Sequence, residues 1–480
     1  MAGKNVTWRL SFSASIVHLV YCTSVFAGTH PPPVLHKDVV ILGGGASGSY
    51  AAVRLREDYK KSILLVEKEP ILGGHTNTYI IPETGEAFNY GVQSYIDYKG
   101  AKAFFKRFGI PLQPSVLFAS DTVLVNPATN QPASLPPAIP INESVAAIQK
   151  WHDLISPWND QLLPGYWDFF SPSEIPPDLL LPFPEVVAKY SLEAMGPILA
   201  IVSGINISEP QPTLYVTKNF GTPVVEGFLE NTFFDPVPFN NSLLYQRAGE
   251  LLGSDVALSS SIVAGDRSVK NGFVLTMQND KTGAQTTVVA KRLLIAVPPS
   301  VNNLAFLSLD DQEKAVFETW SFGSVYTAVL KTNLIPDNTS LAFAGLLTSS
   351  SPVAPGQFSF SANWNGVSGY YWLILFSEST WTAEQATAAI LAEMENLYNA
   401  GTFSPTTGTE PRSSIAQISD HSSARWGQSA AQIKDGFIQD LYALQGHKNT
   451  WYTGGLWCPD YSSNVWAFTD TVLPKLLQGI

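Results

Sequence analysis

A glycine-rich turn at residues 43–48 constrains the fold of this chain more than any other feature. The apolar, β-branched run 39–42 leads into the turn, and the helix-compatible stretch 49–57 leaves it. Three glycines satisfy the spacing G-x-G-x-x-G in this context: Gly43, Gly45 and Gly48. A glycine turn before any helix can mimic this motif, so its meaning depends on the strand, helix and acid that accompany it. The sequence predicts a dinucleotide-binding βαβ unit.

Each position in the turn has a physical role. Gly43 permits the tight bend, Gly45 lets a pyrophosphate approach the backbone, and Gly48 lets the helix pack close to the strand. Ala46 and Ser47 lie between these glycines, and the N-terminus of the helix that follows offers free N–H groups and a partial positive charge to the phosphates. We therefore expect all five residues to take part in cofactor binding.

A second strand and an acid complete the fingerprint. Residues 62–66 predict the next parallel strand, and Glu67 lies at its end. An acid at this place can accept hydrogen bonds from both ribose hydroxyls of an adenosine. Lys68 lies just past the strand end and is a further chemically possible contact.

A glycine pair beyond this strand favours FAD over NAD. The run Gly73-Gly74-His75-Thr76 resembles the second signature of FAD enzymes of the amine-oxidase type, in which the pair lies against the pyrophosphate. An ordinary loop is the alternative interpretation. The residue after the pair is often Arg in amine oxidases, and His75 occupies that position here. This difference argues against an amine substrate.

Two further segments resemble parts of the same superfamily. Gly91 lies in the run NYGVQ, which resembles the Asp-x-Gly segment that passes the flavin, with Asn in place of Asp. A strand pair around a turn at residues 279–283, followed by the apolar run 292–299, resembles the adenine-side return of the domain. The resemblance implies that the backbone of Val263 faces the adenine.

The C-terminal run 450–455 resembles the closing strand and flavin loop of these enzymes. The superfamily usually has an acid after the first glycine of this loop, Gly454, but Gly455 occupies that place, so the ribityl contact must come from elsewhere. Residues 462–464 predict a cap for a last helix that begins near Val465. The resemblance implies that this helix points its positive end at the flavin pyrimidine edge and stabilises a reduced, anionic flavin.

The motifs GGHT, NYGVQ, WYTGG and SSNVWAFTD resemble the β-cyclopiazonate dehydrogenase-like family of fungal FAD-dependent oxidoreductases, over nearly the whole mature chain. The resemblance implies FAD as cofactor and an α/β fold. In that fold, a Rossmann-type FAD-binding domain of the amine-oxidase and glutathione-reductase type is interleaved with an α+β substrate domain. It also implies secondary metabolism, in which the family couples dehydrogenation to ring closure on indole-tetramate and terpenoid scaffolds.

The chain divides into interleaved segments. We predict the FAD-binding domain in three parts, at residues 34–98, 251–300 and 446–480. The proline-rich and aromatic region 99–250 predicts a substrate or cap region, with a helical piece at 186–195, and residues 301–445 predict the sheet and helices of the substrate domain. Within the latter, the patterns indicate strands at 324–330, 357–364 and 370–376 and an amphipathic helix at 382–399.

The N-terminus predicts entry into the secretory pathway. Residues 1–27 combine a positive start at Lys4 and Arg9 with an apolar stretch and small residues at Val25 and Ala27, so we expect a signal peptide that is cleaved after Ala27. An uncleaved anchor is the alternative, although the apolar run is marginal for spanning a membrane. The mature chain is expected to be secreted or retained in the endoplasmic-reticulum lumen, without stable membrane insertion.

The sequons and the cysteine content agree with a secretory route. Four N-x-S/T sequons predict glycosylation, at Asn142, Asn206, Asn240 and Asn338. Cys22 lies in the predicted signal, which leaves Cys458 without a disulfide partner. A covalent flavin link is one interpretation of Cys458, and a free buried thiol is the other.

The formal net charge of −12, without a basic cluster, argues against nucleic-acid binding.

Flavin chemistry requires the protein to position a C–H bond, exclude water and supply a base. His75 and His421 are the candidate catalytic bases, and a structural or surface role is the alternative for each. Five aromatic residues are candidates for either a substrate cavity or core packing: Tyr90, Tyr371, Trp426, Trp451 and Trp457. No cluster has metal-ligand spacing, so no metal is expected. A single dinucleotide fingerprint favours dioxygen or another diffusible electron acceptor.

The sequence thus predicts an FAD-dependent oxidoreductase that dehydrogenates a polycyclic terpenoid or indole-type natural product, and the resemblance alone implies that oxidative ring closure follows. One alternative is a secreted flavin oxidase of amines, amino acids or prenylated thiols, which would release hydrogen peroxide from simple amines. The other is a non-enzymatic prenyl-group binding protein, which would be colourless when purified.

Overall fold

The fold contains two seven-stranded sheets. The structure is a computed structural model, and it describes residues 33–480 without 117, 119, 270–271, 322, 344–357 and 378–379. The predicted signal peptide at residues 1–27 lies outside these described residues. The strands are β1 Val34–Leu42, β2 Ile63–Val66, β3 Thr78–Ile80, β4 Ala87–Asn89, β5 Leu112–Pro114, β6 Asp121–Asn126, β7 Gln131–Pro132, β8 Phe234–Pro236, β9 Val256–Ala257, β10 Ser260–Asp266, β11 Phe273–Asn279, β12 Gln285–Ile295, β13 Ser324–Thr332, β14 Thr339–Phe343, β15 Phe358–Trp364, β16 Tyr370–Ser377, β17 Ser413–Asp420 and β18 Thr450–Tyr452. The α-helices are Ala46–Val53, Ala101–Arg107, Ile141–Ile155, Asn159–Leu162, Pro177–Leu180, Phe183–Tyr190, Gly196–Ser203, Thr213–Asn219, Thr222–Leu229, Leu243–Leu252, Asp311–Phe317, Ala383–Asn399, Ala430–Lys434, Phe437–Ala443 and Ser462–Leu476.

The first sheet is built around the glycine turn. Its order is β10-β11-β12-β1-β2-β9, and β18 also pairs with β12. The neighbours β12, β1, β2 and β9 run parallel, as does β18 beside β12, whereas β10, β11 and β12 form an antiparallel meander. The carboxyl ends of the parallel strands therefore meet at one edge. This Rossmann-type sheet confirms the predicted fold class.

The helix after the glycine turn starts earlier than predicted. It spans Ala46–Val53 rather than 49–57 and continues as a π-helical turn, Arg54–Asp58. The predicted start was wrong because Gly45 is itself the extended N-cap, with φ of −70° and ψ of −166°. The helix therefore begins inside the glycine motif, and its first turn faces the carboxyl edge of the sheet.

The second sheet has the order β17-β13-β16-β15-β14-β6-β7. The three predicted strands are confirmed as the antiparallel neighbours β13, β16 and β15. The predicted amphipathic helix is confirmed as Ala383–Asn399, in which Thr382 and Gln385 form a reciprocal capping box. Its apolar face packs against the sheet through Ala386, Ile390, Met394 and Leu397, whereas Leu391 of the same helix is only half-buried.

Most of the region between β7 and β9 is helical and has its own apolar core. The helix predicted at 186–195 is in fact two elements, because Phe183–Tyr190 ends where Ser191 adopts a φ of +53°, and a 3₁₀ turn follows at Glu193–Met195. No single helix in the described ranges has both the length and the apolar composition to cross a membrane. Only the pair Phe183–Tyr190 and Glu193–Ser203 meets these criteria together, and it is bent by 117°.

A buried ion pair links the helix Asp311–Phe317 to the first sheet. Arg267, just after β10, contacts both carboxylate oxygens of Glu313, and the two side chains are 5% and 0% exposed. We expect Glu313→Ala to lower the free energy of unfolding by about 3–5 kcal/mol, because the guanidinium stays buried without its partner. Urea denaturation measures this change. The control is Lys102→Met, which breaks an exposed pair and is expected to cost less than about 1 kcal/mol. Equal effects of the two substitutions would contradict the prediction.

Candidate active site

A cavity of about 2860 Å³ lies at the carboxyl edge of the first sheet. Residues that follow β1, β2 and β18 line it, together with residues of the second sheet and of the helical region. Ligands of open α/β sheets bind at this edge. A pocket for one drug-sized ligand measures about 300–1,000 Å³, so the cavity has room for a dinucleotide and a second large molecule.

Two glycine segments meet in the cavity wall. Gly45 and Gly74 are in backbone contact, because a Cβ on Gly74 would lie 2.8 Å from the Gly45 Cα. Gly43, with a φ of +100°, also has no room for a side chain. A Cβ on Gly48 would lie 1.8 Å from the Gly43 carbonyl oxygen, so only glycine lets the helix approach the strand this closely. The result is a surface of bare backbone where a phosphate group can approach.

Glu67 lies at the end of β2 and is 8% exposed. Its Oε2 accepts a hydrogen bond from the Gly44 N–H at 2.5 Å, and its Oε1 accepts one from the Glu69 N–H at 2.8 Å. Each oxygen keeps a second lone pair, and the residue lines the cavity. Lys68 also lines the cavity, but its side chain is 77% exposed. The acid is therefore held rigidly by the backbone, and the lysine lies at the mouth.

The first turn of the C-terminal helix also lines the cavity. It spans Ser462–Leu476, so residues 462–464 form its first turn and the predicted start near Val465 was three residues late. Tyr461 is the extended N-cap, and its side chain makes no capping hydrogen bond, so no side chain among the described residues caps the first-turn N–H groups. Trp466 Nε1 donates to the Ala46 carbonyl oxygen at 3.1 Å and ties this helix to the one after the glycine turn. Two helix N-termini without side-chain caps thus meet at one cavity.

Asp460 places an acid beside the flavin loop. A Cβ on Gly455 would lie 2.0 Å from Asp460 Oδ1, so this carboxylate covers the glycine. Gly454 has a φ of +121°, and its loop packs near Ser47. All four residues line the cavity. Sequence reasoning missed Asp460 because the acid lies five positions beyond the expected place and comes back to it only through the fold.

The structure brings most predicted cofactor contacts to the cavity wall. Those that line it are Gly43, Gly45, Ala46, Ser47, Glu67, Lys68, Gly73, Gly74, His75, Thr76, Gly91, Gly454, Gly455 and Val465. Gly48 lies behind the wall, inside the helix. Val263 is 43% exposed at a bulge of β10 and lies outside the wall, whereas Ser260, Ser261 and Ile262 line it. The wall thus includes the residues just before Val263, and the contact of the Val263 backbone with the adenine stays a prediction.

His75 and His421 stack in the cavity, with ring centroids 4.1 Å apart and planes inclined by 16°. His421 Nε2 lies 3.0 Å from Asn77 Oδ1 and 3.3 Å from Thr327 Oγ1. Asn77 Nδ2 donates to the Gly74 carbonyl oxygen, so its Oδ1 faces His421 and accepts from Nε2–H. Nδ1 of a neutral His421 is then the proton acceptor.

Burial keeps both imidazoles neutral. It lowers the pKa of His421 well below the ordinary value of 6.5, and the neighbouring His75 lowers it further. Burial also lowers the pKa of His75, whereas the charges of Asp460 and Asp420 oppose this shift. The unprotonated form, which a general base requires, therefore persists into mildly acidic solution.

Aromatic side chains line part of the cavity. Of the five candidates, Tyr90, Trp426 and Trp457 are in the wall. Tyr371 is fully buried in the core of the second sheet, and Trp451 lies outside the wall, so both belong to packing. Further aromatic residues that the sequence analysis did not single out also line it, among them Trp364, Trp372 and Phe239.

Cys458 is fully buried and does not line the cavity. Its Sγ lies 3.5 Å from the Gly454 carbonyl oxygen, and burial raises the pKa of the thiol well above its ordinary range. A covalent link needs an accessible thiolate, so these observations favour the free-thiol interpretation.

Asp310, Glu313 and His447 bring their ligand atoms within 4.8 Å of one another. The acids already have cationic partners, because Arg267 contacts Glu313 and Lys448 lies 2.8 Å from Asp310. The spacing of these residues in the chain does not predict the cluster, because its members come together only in the fold. Its geometry is that of an ion-pair network.

Comparisons with known proteins agree with this arrangement. Residues 41–108 match the family model of the NAD(P)-binding Rossmann-like domain. β-Cyclopiazonate dehydrogenase of Aspergillus flavus is 30% identical over 454 residues, which cover 94% of this chain and 95% of the relative. Among solved structures, a fatty acid isomerase from P. acnes superposes with a TM-score of 0.70 at 15% identity, covering 92% of this chain and 99% of that one. A triple mutant of putrescine oxidase superposes with a TM-score of 0.60 at 17% identity, covering 93% and 100%.

The Rossmann-type sheet, its bare glycine surface and these relatives define an FAD-dependent oxidoreductase. FAD fits the residues present. Gly45 and Gly74 carry no side chains, so a pyrophosphate can approach their backbone, and the helix N-termini offer it free N–H groups. The chain belongs to the β-cyclopiazonate dehydrogenase-like family of fungal FAD-dependent oxidoreductases.

Proposed function

We propose that this enzyme dehydrogenates a large, mostly apolar natural product of the terpenoid or indole type in fungal secondary metabolism. The observation that carries the proposal is the neutral His75–His421 pair beside the glycine surface, in a cavity larger than a dinucleotide needs. Aromatic side chains in the wall offer stacking surfaces to a polycyclic substrate. The name of the β-cyclopiazonate dehydrogenase relative supports dehydrogenation as the reaction, and we propose that ring closure follows it.

Bound FAD would accept the hydride of an activated C–H bond, and dioxygen or another diffusible acceptor would take the two electrons onward. His421 takes up the accompanying proton at Nδ1 while Asn77 Oδ1 holds its Nε2–H. His75 stacks on the ring and fixes its plane. His421 is only 8% exposed, so few water molecules compete for its basic atom. An internal nucleophile of the substrate would then attack the oxidised carbon and close the ring, and its proton is the one that His421 takes up, so the product loses one hydride and one proton in all.

A peroxide-release assay with a substrate panel tests this function. The panel contains an indole-tetramate, a polycyclic terpenoid alcohol, putrescine and cyclohexylamine, and the mass of each product is measured. We expect turnover of a polycyclic compound with loss of two hydrogens from the product, and none of the simple amines. Turnover of the amines alone would contradict the proposal and would favour the secreted amine oxidase.

We further propose that the chain enters the secretory pathway and is glycosylated. Of the four sequon residues, Asn142 and Asn338 are exposed, whereas Asn206 and Asn240 are half-buried. The first two are therefore the expected glycan sites on the folded protein. N-terminal sequencing of secreted protein should begin at Gly28, and glycosidase treatment should reduce its mass. A full-length, unglycosylated product in the cytosol would contradict this route.

A further inference from the structure

A nearly buried lysine lines the cavity outside the segments assigned to FAD. Lys218, in the last turn of the helix Thr213–Asn219, is 4% exposed and lines the cavity. Within the described ranges, its side chain has no hydrogen bond and no carboxylate oxygen within 4.0 Å. An ammonium group carries three donors, and lysine is almost never buried without a partner. The side chain therefore has N–H donors that a ligand in the cavity can satisfy.

The other cations of the cavity wall are paired or exposed. Arg425 forms an ion pair with Glu209 at 2.7 Å and also donates to the Gly204 carbonyl oxygen. Lys68 lies at the mouth with its side chain 77% exposed. Among the described residues of the wall, Lys218 is thus the cation that is both buried and unpaired.

Asp460 is close enough to favour the charge of Lys218 but does not pair with it. The Asp460 N–H donates to the Lys218 carbonyl oxygen at 3.1 Å, while its carboxylate covers Gly455. Burial lowers the pKa of Lys218, and the charge of Asp460 opposes this shift. Asp460 therefore helps to keep the ammonium form without satisfying its donors.

We propose that Lys218 binds an anionic group of the substrate, a carboxylate or an enolate, so that the substrate is an acid with a large apolar body. Lys218 lies in the helical region between β7 and β9, whereas the glycine turn, the glycine pair and the flavin loop lie in other segments. The cavity has volume beyond that of a dinucleotide, and most of its wall area is apolar. This inference rests on the proposed function, because it names the substrate class of the same site.

A matched pair of ligands tests the inference on the FAD-loaded protein. The probes are indole-3-acetate and tryptophol, which share the indole and differ in carboxylate against alcohol. Binding is followed by flavin absorbance and by tryptophan fluorescence. We expect the wild-type protein to bind the acid at least about 10-fold more tightly, the effect of one hydrogen bond to a charged group. Lys218→Met should abolish this preference and leave tryptophol affinity unchanged, and Lys218→Arg should retain it.

Stability provides an independent readout. Lys218→Met is expected to keep or raise Tm, because it removes a buried charge without breaking an ion pair. Equal affinities of the acid and the alcohol in the wild-type protein, or an unchanged preference in Lys218→Met, would overturn the proposal. Loss of FAD affinity in Lys218→Met would also overturn it and assign the lysine to the cofactor. A protein that binds no FAD contradicts the proposed function instead, while the fluorescence titration still decides the role of Lys218.

Discussion

Gly45→Ala is expected to weaken FAD binding by about 10- to 100-fold while the protein stays folded. A Cβ at this position meets only the Gly74 Cα, at 3.7 Å, which is an ordinary van der Waals contact. The φ of −70° is also one that alanine adopts readily. The methyl group would face the cavity where the motif brings the backbone to the pyrophosphate. Forcing a methyl group into such a contact costs about 1–3 kcal/mol, which corresponds to the expected change in affinity.

Calorimetric titration of the apoprotein with FAD measures this loss. FAD should raise the Tm of the wild-type protein more than that of the variant, because at equal concentration a ligand with a lower Kd for the folded state stabilises that state more. The apoproteins should have the same Tm. Gly249→Ala, in the helix Leu243–Leu252, is the matched control and should leave FAD affinity unchanged. Gly48→Ala should instead destabilise the apoprotein, because its Cβ would lie 1.8 Å from a carbonyl oxygen. An unchanged FAD affinity in Gly45→Ala would contradict the placement of the pyrophosphate.

His421→Gln is expected to lower kcat/KM by about 100- to 10,000-fold, the usual contribution of a general base. Glutamine keeps the volume and a hydrogen-bonding group but has no basic nitrogen. FAD affinity should not change, because the substitution leaves the glycine surface intact. His152→Gln, in the helix Ile141–Ile155 away from the cavity wall, is the control and should keep wild-type activity. Steady-state kinetics with the substrate found in the peroxide assay measures both variants, and full activity of His421→Gln would exclude it as the base.

The pH profile of the same reaction gives a second test of the base. Because the pKa of His421 is lowered, the unprotonated imidazole persists as the pH falls through 6.5, and activity should be lost only below that value. Asn77→Asp places a negative charge beside Nε2 and should move the acidic limb to higher pH. An acidic limb at or above 6.5 in the wild-type enzyme would contradict a buried neutral base.

The parts of the site that depend on local sequence could be predicted. The glycine turn, Glu67 at the end of its strand and the Gly73-Gly74 pair each have a fixed spacing to a neighbouring element, and the structure brings them to one cavity. His75 and His421 were recognised as candidates by their chemistry alone. The stacking of the two rings and the hydrogen bond from His421 to Asn77 could not be foreseen. His421 and Asn77 are 344 residues apart in the chain, and only the fold brings these segments together.

Features that depend on tertiary contact could not be predicted. Asp460 and Lys218 belong to no motif, and only the fold brings one over Gly455 and leaves the other unpaired in the wall. Val263 lies at a bulge that shifts the register of its strand, a feature that the residue pattern of the strand does not reveal. The helix starts were misplaced because Gly45 and Tyr461 act as N-caps through their extended backbone, without a capping side chain for a sequence pattern to detect.

The visible spectrum of the purified protein, before and after acid precipitation, tests the FAD site most directly. The bare glycine surface predicts a yellow protein, and the burial of Cys458 predicts that acid releases the colour into the supernatant. Colour that stays with the pellet would contradict noncovalent binding. A protein that is colourless even after FAD is added would contradict the assignment of the cavity as a flavin site.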